Sequence, residues 1–242
     1  DELQLGRGET IEDTAKIISG YCSALIIRTF AQSDVDQLGA FASIPVINAL
    51  TDVDHPTQLL ADWLTIRENF GTDIAGRKFV YLGDGNNMSH AWLIMGAIMG
   101  AHVVAATPSG KWAPDPVVVA VAKNIAANSG GKVEVTNDPE AAAKDASVLY
   151  TDVWMSMGDS ESDRKEKVQA LSPFAVTEHL MKMASKDSLF MHCLPAHRGE
   201  EVEANVIDGP RSVIWREAYH RRTTIQSILY HLVRGDLKGY TH

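Results

Sequence analysis

Short runs rich in Val, Ile and Ala recur at residues 24–29, 45–48, 78–83, 102–107, 132–136, 147–151, 188–193 and 212–215, and stretches of helical period separate nearly all of them. A strand that is apolar throughout must be covered on both faces. Consecutive parallel strands also need a crossover long enough to hold a helix. Alternation of this kind restricts the chain to right-handed βαβ units around parallel sheets. The expected fold class is α/β, with two doubly wound parallel-sheet lobes carrying helices on both faces.

Helix start and stop signals agree with that reading. Thr10 with Asp13, and Ser33 with Asp36, each place an oxygen acceptor ahead of a first turn that also holds an acid, and Gly71 is a C-terminal stop. The polar segment 69–76, with two Gly, is the expected boundary between lobes. Residues 1–70 then form one lobe, with the helix region 217–242 packing back on it, and residues 71–216 form the other. Two expected strands precede the boundary and six follow it, so the first lobe reads as incomplete. The last helix, expected from Glu217 to about Val233, puts Ala218, Ile225, Ile228, Leu229 and Leu232 on one face.

Of the 242 residues, 45% are hydrophobic and 22% charged, with a formal net charge of -9. An acidic balance without a basic stripe argues against a nucleic-acid partner, whose phosphates need clustered Lys and Arg. Cys22 and Cys193 are the only cysteines and stand in unlike contexts, which fits a reducing cytoplasm and not a disulfide framework. The longest apolar stretch, 91–101, is far short of the about 20 residues a bilayer demands. Asp1-Glu2-Leu3-Gln4 is unlike a signal peptide. The expectation is a cytoplasmic protein with no membrane partner.

In doubly wound folds ligands bind beyond the carboxyl ends of the strands, so the residues that follow each strand carry the functional signal. The strand 188–191 delivers His192, Cys193, His197 and Arg198 into a turn, a density of reactive groups that packing alone does not require. Gly83-Asp84-Gly85-Asn86-Asn87 follows another strand and opens a helix. Met88, however, stands where a G-x-G-x-x-G fingerprint has its third glycine, and the next strand lacks an acid for a ribose. The amides of Asn86 and Asn87 suit a small zwitterion, which needs donors and acceptors together, while one of the two serves as a helix N-cap.

Asp152 follows the strand 147–151, where a carboxylate can hold an ammonium. Gly158 and the polar run 159–167 predict a mobile loop whose Trp154 and Met155 close over a ligand. Arg28 ends an early strand, and His55-Pro56-Thr57-Gln58 opens a helix. That combination suits a phosphate, because unpaired amides and the helix dipole favour an anion. Arg221 and Arg222 offer further cations.

Gln4-Leu5-Gly6-Arg7-Gly8-Glu9, His55-Pro56-Thr57-Gln58, Asp84-Gly85-Asn86-Asn87, Asp152 with Ser156-Met157-Gly158, and His192-Cys193-Leu194-Pro195 stand in the order in which ornithine carbamoyltransferases carry them. The chain resembles that family over nearly its whole length. Its His-Cys-Leu-Pro and Ser-Met-Gly elements separate it from the related aspartate carbamoyltransferases. The resemblance implies transfer of the carbamoyl group of carbamoyl phosphate to the δ-amine of L-ornithine, giving L-citrulline and phosphate. It implies a homotrimer, no metal and no organic cofactor. Carried over by position, it implies that Gln4, Arg28, His55, Gln58, Cys193, Leu194 and Arg221 bind carbamoyl phosphate. Asn87, Asp152, Ser156 and Met157 are the implied ornithine ligands, and Cys193, Asp152, His55 and Arg28 the implied catalytic groups. The family's Ser-Thr-Arg-Thr phosphate loop does not occur in these 242 residues, so the chain by itself is expected to bind carbamoyl phosphate poorly and turn over slowly. Two other readings stay open: a carbamoyltransferase for another amine, such as putrescine or an acylated ornithine, and a non-catalytic amino-acid-binding module.

Overall fold

The computed structural model describes residues 8–74, 76–155 and 162–235. Contacts divide the chain into two compact units, residues 1–60 with 221–242, and residues 61–220. The first unit holds α1 (Ile11–Tyr21), β1 (Leu25–Arg28), α2 (Gln32–Phe41), β2 (Val46–Leu50) and the opening turns of α3 (Pro56–Phe70). The second holds β3 (Lys78–Leu82), α4 (Asn87–Ile98), β4 (His102–Ala106), α5 (Pro116–Ser129), β5 (Lys132–Thr136), α6 (Pro139–Ala143), β6 (Val148–Thr151), α7 (Arg164–Leu171), α8 (Glu178–Met183), β7 (Leu189–His192) and α9 (Ala204–Ile207). It also holds the start of α10 (Ile214–Arg234), whose later turns belong to the first unit. By contacts, the division thus falls inside α3 and α10, which no Gly or internal Pro interrupts, and not in the 69–76 segment. Gly71 does end α3, with φ 78° and its N–H on the Arg67 carbonyl at 2.9 Å.

In the first unit β1 and β2 pair in parallel, Leu25 against Val46, with a register shift between Ile27 and Arg28. Thr10 caps α1 as its sequence predicts, accepting the Asp13 N–H at 3.1 Å. Ser33 does not cap α2. The helix begins at Gln32, whose N–H donates to Asp52 Oδ1 at 3.2 Å, so a carboxylate from the loop after β2 replaces the local cap.

The second unit is a five-stranded, wholly parallel sheet in the order β5-β4-β3-β6-β7. Along β3 the side chains alternate between two buried faces. Val80 and Leu82 join Val104, Leu149, Phe190, Phe174, Leu180 and Ile214 in one core. Phe79 and Tyr81 belong to an aromatic cluster on the other face, where Trp92 lies 4.6 Å from Tyr150 and Trp63 lies 5.3 Å from Phe79, ring centre to ring centre. Strand order reverses between β3 and β6, so the carboxyl ends of these two neighbours flank the switch point where open α/β sheets bind ligands.

The expected strand at 212–215 is not formed, and five strands stand where six were expected in this lobe. The Phe190 N–H donates to the Arg211 carbonyl at 2.9 Å and the Val213 N–H to the Phe190 carbonyl at 3.1 Å, so this segment covers the outer edge of β7 for one bridge. The Glu217 N–H then bonds the Val213 carbonyl at 3.0 Å and the chain turns helical. The apolar run was real, but it is spent on an edge bridge and a first helical turn. Within α10 Leu232 is buried as expected, whereas Ala218 is exposed and Glu217 takes the inward position beside it.

Candidate active site

At the switch point of the second unit, Asn86 is the N-cap of α4, its Oδ1 accepting the N–H groups of Met88 and Ser89 at 3.0 and 3.2 Å. The Tyr81 hydroxyl donates to the same oxygen at 3.2 Å. With Oδ1 so occupied, Nδ2 is directed across the crevice and donates to Asp152 Oδ2 at 3.1 Å. Of the two amides read from the sequence, Asn86 is therefore structural. Asn87, half-buried, is the first residue of α4.

Asp152, buried just past the end of β6, accepts its second and third hydrogen-bond partners through Oδ1: the Val153 N–H at 2.7 Å and the Cys193 thiol at 2.9 Å. Burial pushes the Cys193 thiol well above the ordinary thiol range, and the negative charge of Asp152, with Glu217 and Asp62 farther off, pushes it the same way. The sulfur is accordingly a protonated donor and not a thiolate. The turn that presents it is firmly held. The His192 N–H donates to Glu217 Oε2 at 3.0 Å, and His192 Nδ1 accepts the Leu194 N–H at 2.8 Å. Leu194 sits at φ 57°, a left-handed conformation that costs a side-chain-bearing residue about 1–2 kcal/mol and persists only where neighbours impose it.

The glycine loop before Asn86 is not a phosphate cradle. A Cβ on Gly85 would lie 2.2 Å from the Ala113 carbonyl carbon, so its glycine is required by the close approach of the chain at 113–114. Asp84 is buried in an ion pair with Lys167, Nζ to Oδ2 2.6 Å. That pair corrects the sequence reading of 159–167 as loop: from Arg164 onward the chain is helical, and Lys167 is buried. Lys167 misleads because its charge is neutralised inside. Trp154, expected to close over a ligand, is itself buried; it lines a cavity of about 760 Å³ together with Arg164, Val168, Thr177 and Glu200.

In the first unit a cationic cluster forms around the start of α3. Arg221 donates through Nη1 to Gln58 Oε1 and through Nη2 to the Thr57 hydroxyl at 3.3 Å, while Arg222 beside it is exposed. Gln58 and Thr57 are both buried, and the Thr57 hydroxyl donates to the Ala49 carbonyl at 3.1 Å. Buried His55 has its pKa lowered to about 3, first by desolvation and then by the charges of Arg221 and Arg28. Among the described residues its Nδ1 has no hydrogen-bond partner. Arg28 is exposed at the end of β1.

Gln4, Ser156 and Met157 lie outside the described residues. Among those described, His197, Glu200 and Glu201 are one group whose potential metal-ligand atoms lie within 4.8 Å of one another. Its members are engaged, however, Glu200 with Arg164 at 2.6 Å and Glu201 with the His197 amide N–H. Sequence reasoning missed the roles of Lys167 and Glu217, each of which acts through a partner distant in sequence, with no local motif to announce it.

Residues 75–232 match the model of the aspartate/ornithine carbamoyltransferase family's Asp/Orn binding domain, and residues 1–68 match that of its carbamoyl-P binding domain. The ornithine carbamoyltransferase of Pyrococcus horikoshii is 50% identical over 99% of this chain, which spans 74% of that protein. The chain belongs to the ornithine carbamoyltransferase family. Among solved members of that family, the Pyrococcus furiosus protein superposes with a TM-score of 0.91 at 50% identity, over 98% of this chain and 74% of that one. The Giardia lamblia ornithine transcarbamoylase does so at 0.87 with 33% identity, over 95% of this chain and 76% of that one. The family models meet between residues 68 and 75, close to Gly71, where α3 ends. No helix among the described residues is long and apolar enough to cross a membrane.

Proposed function

We propose that this protein transfers the carbamoyl group of carbamoyl phosphate to the δ-amine of L-ornithine, yielding L-citrulline and phosphate. The observation that carries the reading is the Asn86–Asp152–Cys193 constellation at the switch point of the second unit, joined by contacts of 3.1 and 2.9 Å. A neutral amine attacking a carbonyl carbon must be oriented and must shed protons. Asp152 is the acceptor, and the protonated Cys193 thiol fixes its rotamer. Direct aminolysis needs no acyl-enzyme, which agrees with a sulfur held as thiol. Asn87, Ser156 and Met157 take the amino-acid head of ornithine, and Leu194 binds carbamoyl phosphate. On the first unit Arg28, Gln58 and Arg221 take the phosphate, with Gln4 contributing. Neutral His55 donates to the carbamoyl oxygen as charge develops there.

Citrulline formation from ornithine, set against putrescine and N-acetylornithine as rival acceptors, tests the reaction. Competition by norvaline, which keeps the amino-acid head and lacks the δ-amine, tests the head contacts. Preference for putrescine, or no competition by norvaline, would sink the ornithine assignment. The same proposal includes weak carbamoyl phosphate binding by these 242 residues alone, a homotrimer read out by sedimentation, and a cytoplasmic setting for the two free thiols.

A further inference from the structure

The helix α7 has eight residues, of which only Lys167 and Leu171 are buried. So little apolar surface leaves much of the docking to polar pairs, Arg164 with Glu200 at 2.6 Å and the buried Lys167 ammonium. Its Nζ lies 2.6 Å from Asp84 Oδ2, with the two side chains 2% and 9% exposed, and 5.2 Å from the centre of the Trp112 ring. Removing either partner of such a pair leaves the other charge buried and uncompensated. The loop that carries Asp84 is gripped from a second side as well, for the Gly85 N–H donates to the Trp112 carbonyl at 2.9 Å. One residue on, Asn86 Nδ2 reaches Asp152 Oδ2, and Asp152 Oδ1 takes the Cys193 thiol.

We propose that Lys167 is a positioning residue for the amino-acid substrate: through Asp84 it fixes the loop 83–87, so that Asn87 stands in register and Asn86 holds Asp152 in the rotamer that also accepts Cys193. The inference rests on the ornithine reading above and deepens it. Affinity for the α-carboxylate and α-ammonium is then set partly by an ion pair behind the residues that touch them. Carbamoyl phosphate contacts in the first unit do not depend on it.

The test is a calorimetric titration of norvaline, and separately of inorganic phosphate, into the wild-type chain, Lys167→Met, Asp84→Asn and the double variant. Each single substitution is expected to weaken norvaline roughly ten- to a hundredfold, as small misplacements of binding groups do. Phosphate affinity should stay within about twofold, since Arg28, Gln58 and Arg221 belong to the other unit. The double variant should be no worse than the worse single one, because the two side chains act as a unit. It also removes the unpaired buried charge, so it serves where Lys167→Met fails to fold. Unchanged norvaline affinity in folded variants would overturn the positioning role and leave the ornithine reading standing. A parallel loss of norvaline and phosphate would reduce Lys167 to a structural residue and overturn it too. Failure of the wild-type chain to bind norvaline would overturn the ornithine reading and this inference together.

Discussion

Cys193 Sγ stands 2.9 Å from Asp152 Oδ1 with the thiol as donor, so the carboxylate holds the proton on sulfur. Its charge is one cause of the raised thiol pKa, second to burial. Asp152→Asn should therefore bring the Cys193 pKa down and speed its alkylation by iodoacetamide at mildly alkaline pH. Exposed Cys22 supplies an unaltered reference in the same sample. Site-resolved mass spectrometry across a pH series reads both, and a Cys193 profile that ignores the substitution would disprove the coupling.

Arg221 and Arg222 are adjacent in sequence and differ in surroundings. Arg221→Met removes the donor to Gln58 Oε1 and the contact to Thr57, which should cost about 1–3 kcal/mol of stability and most of the affinity for phosphate. Arg222→Met, at an exposed position, should stay within about 0.5 kcal/mol of wild type and bind phosphate normally. Urea melts and phosphate titrations of the two variants check this pair of outcomes, and the reverse ranking would reassign the anion ligand.

Much of this was legible in the sequence because strand ends are legible. Seven of the expected strands formed, and Cys193, Asp152 and Asn87 each follow one, so locating the strands placed these candidate residues at strand ends. The exception shows the limit of periodicity: residues 212–215 have a strand's apolar run, but whether it pairs or coils depends on the free edge of β7, which no local pattern encodes. Lys167 was illegible for a related reason. A lysine in a charged stretch reads as solvated until the carboxylate that neutralises it, 83 positions away in Asp84, is known to be buried beside it. Likewise Asn86 and Asn87 are indistinguishable as letters, and only the helix start decides which one is the cap.

The first unit should be acid-sensitive through His55. Its pKa in the folded protein is about 3 against an ordinary 6.5, so the unfolded chain binds the proton more readily. The stability this neutral imidazole contributes is complete above 6.5 and is lost as pH falls toward 3. The shift corresponds to a loss on the order of 3 kcal/mol between about pH 7 and pH 4. His55→Gln, which cannot titrate, should show a shallower acid limb in urea midpoints. Saturating phosphate should raise the His55 pKa followed by NMR, since a bound anion offsets the two arginines that help to depress it. A ligand-free His55 titrating near its ordinary value would remove the basis for both effects.

Separating Asn86 from Asn87 puts the division between scaffold and ligand contact to the test. Asn86→Ala deletes the acceptor for two first-turn N–H groups of α4 and the donor to Asp152, so it should lower stability by about 1–2 kcal/mol even without substrate. Asn86→Asp keeps the cap, since a carboxylate oxygen can accept the same N–H groups, but it faces Asp152 Oδ2 with a second negative charge. The expected result is that the cap survives while norvaline binding weakens, because the two carboxylates repel. Asn87→Ala should lose norvaline affinity with a smaller loss of stability than Asn86→Ala, because the cap of α4 is on Asn86. Thermal melts paired with norvaline titrations distinguish the three variants. If Asn87→Ala destabilises as much as Asn86→Ala while leaving norvaline binding intact, the roles given to the two amides are wrong.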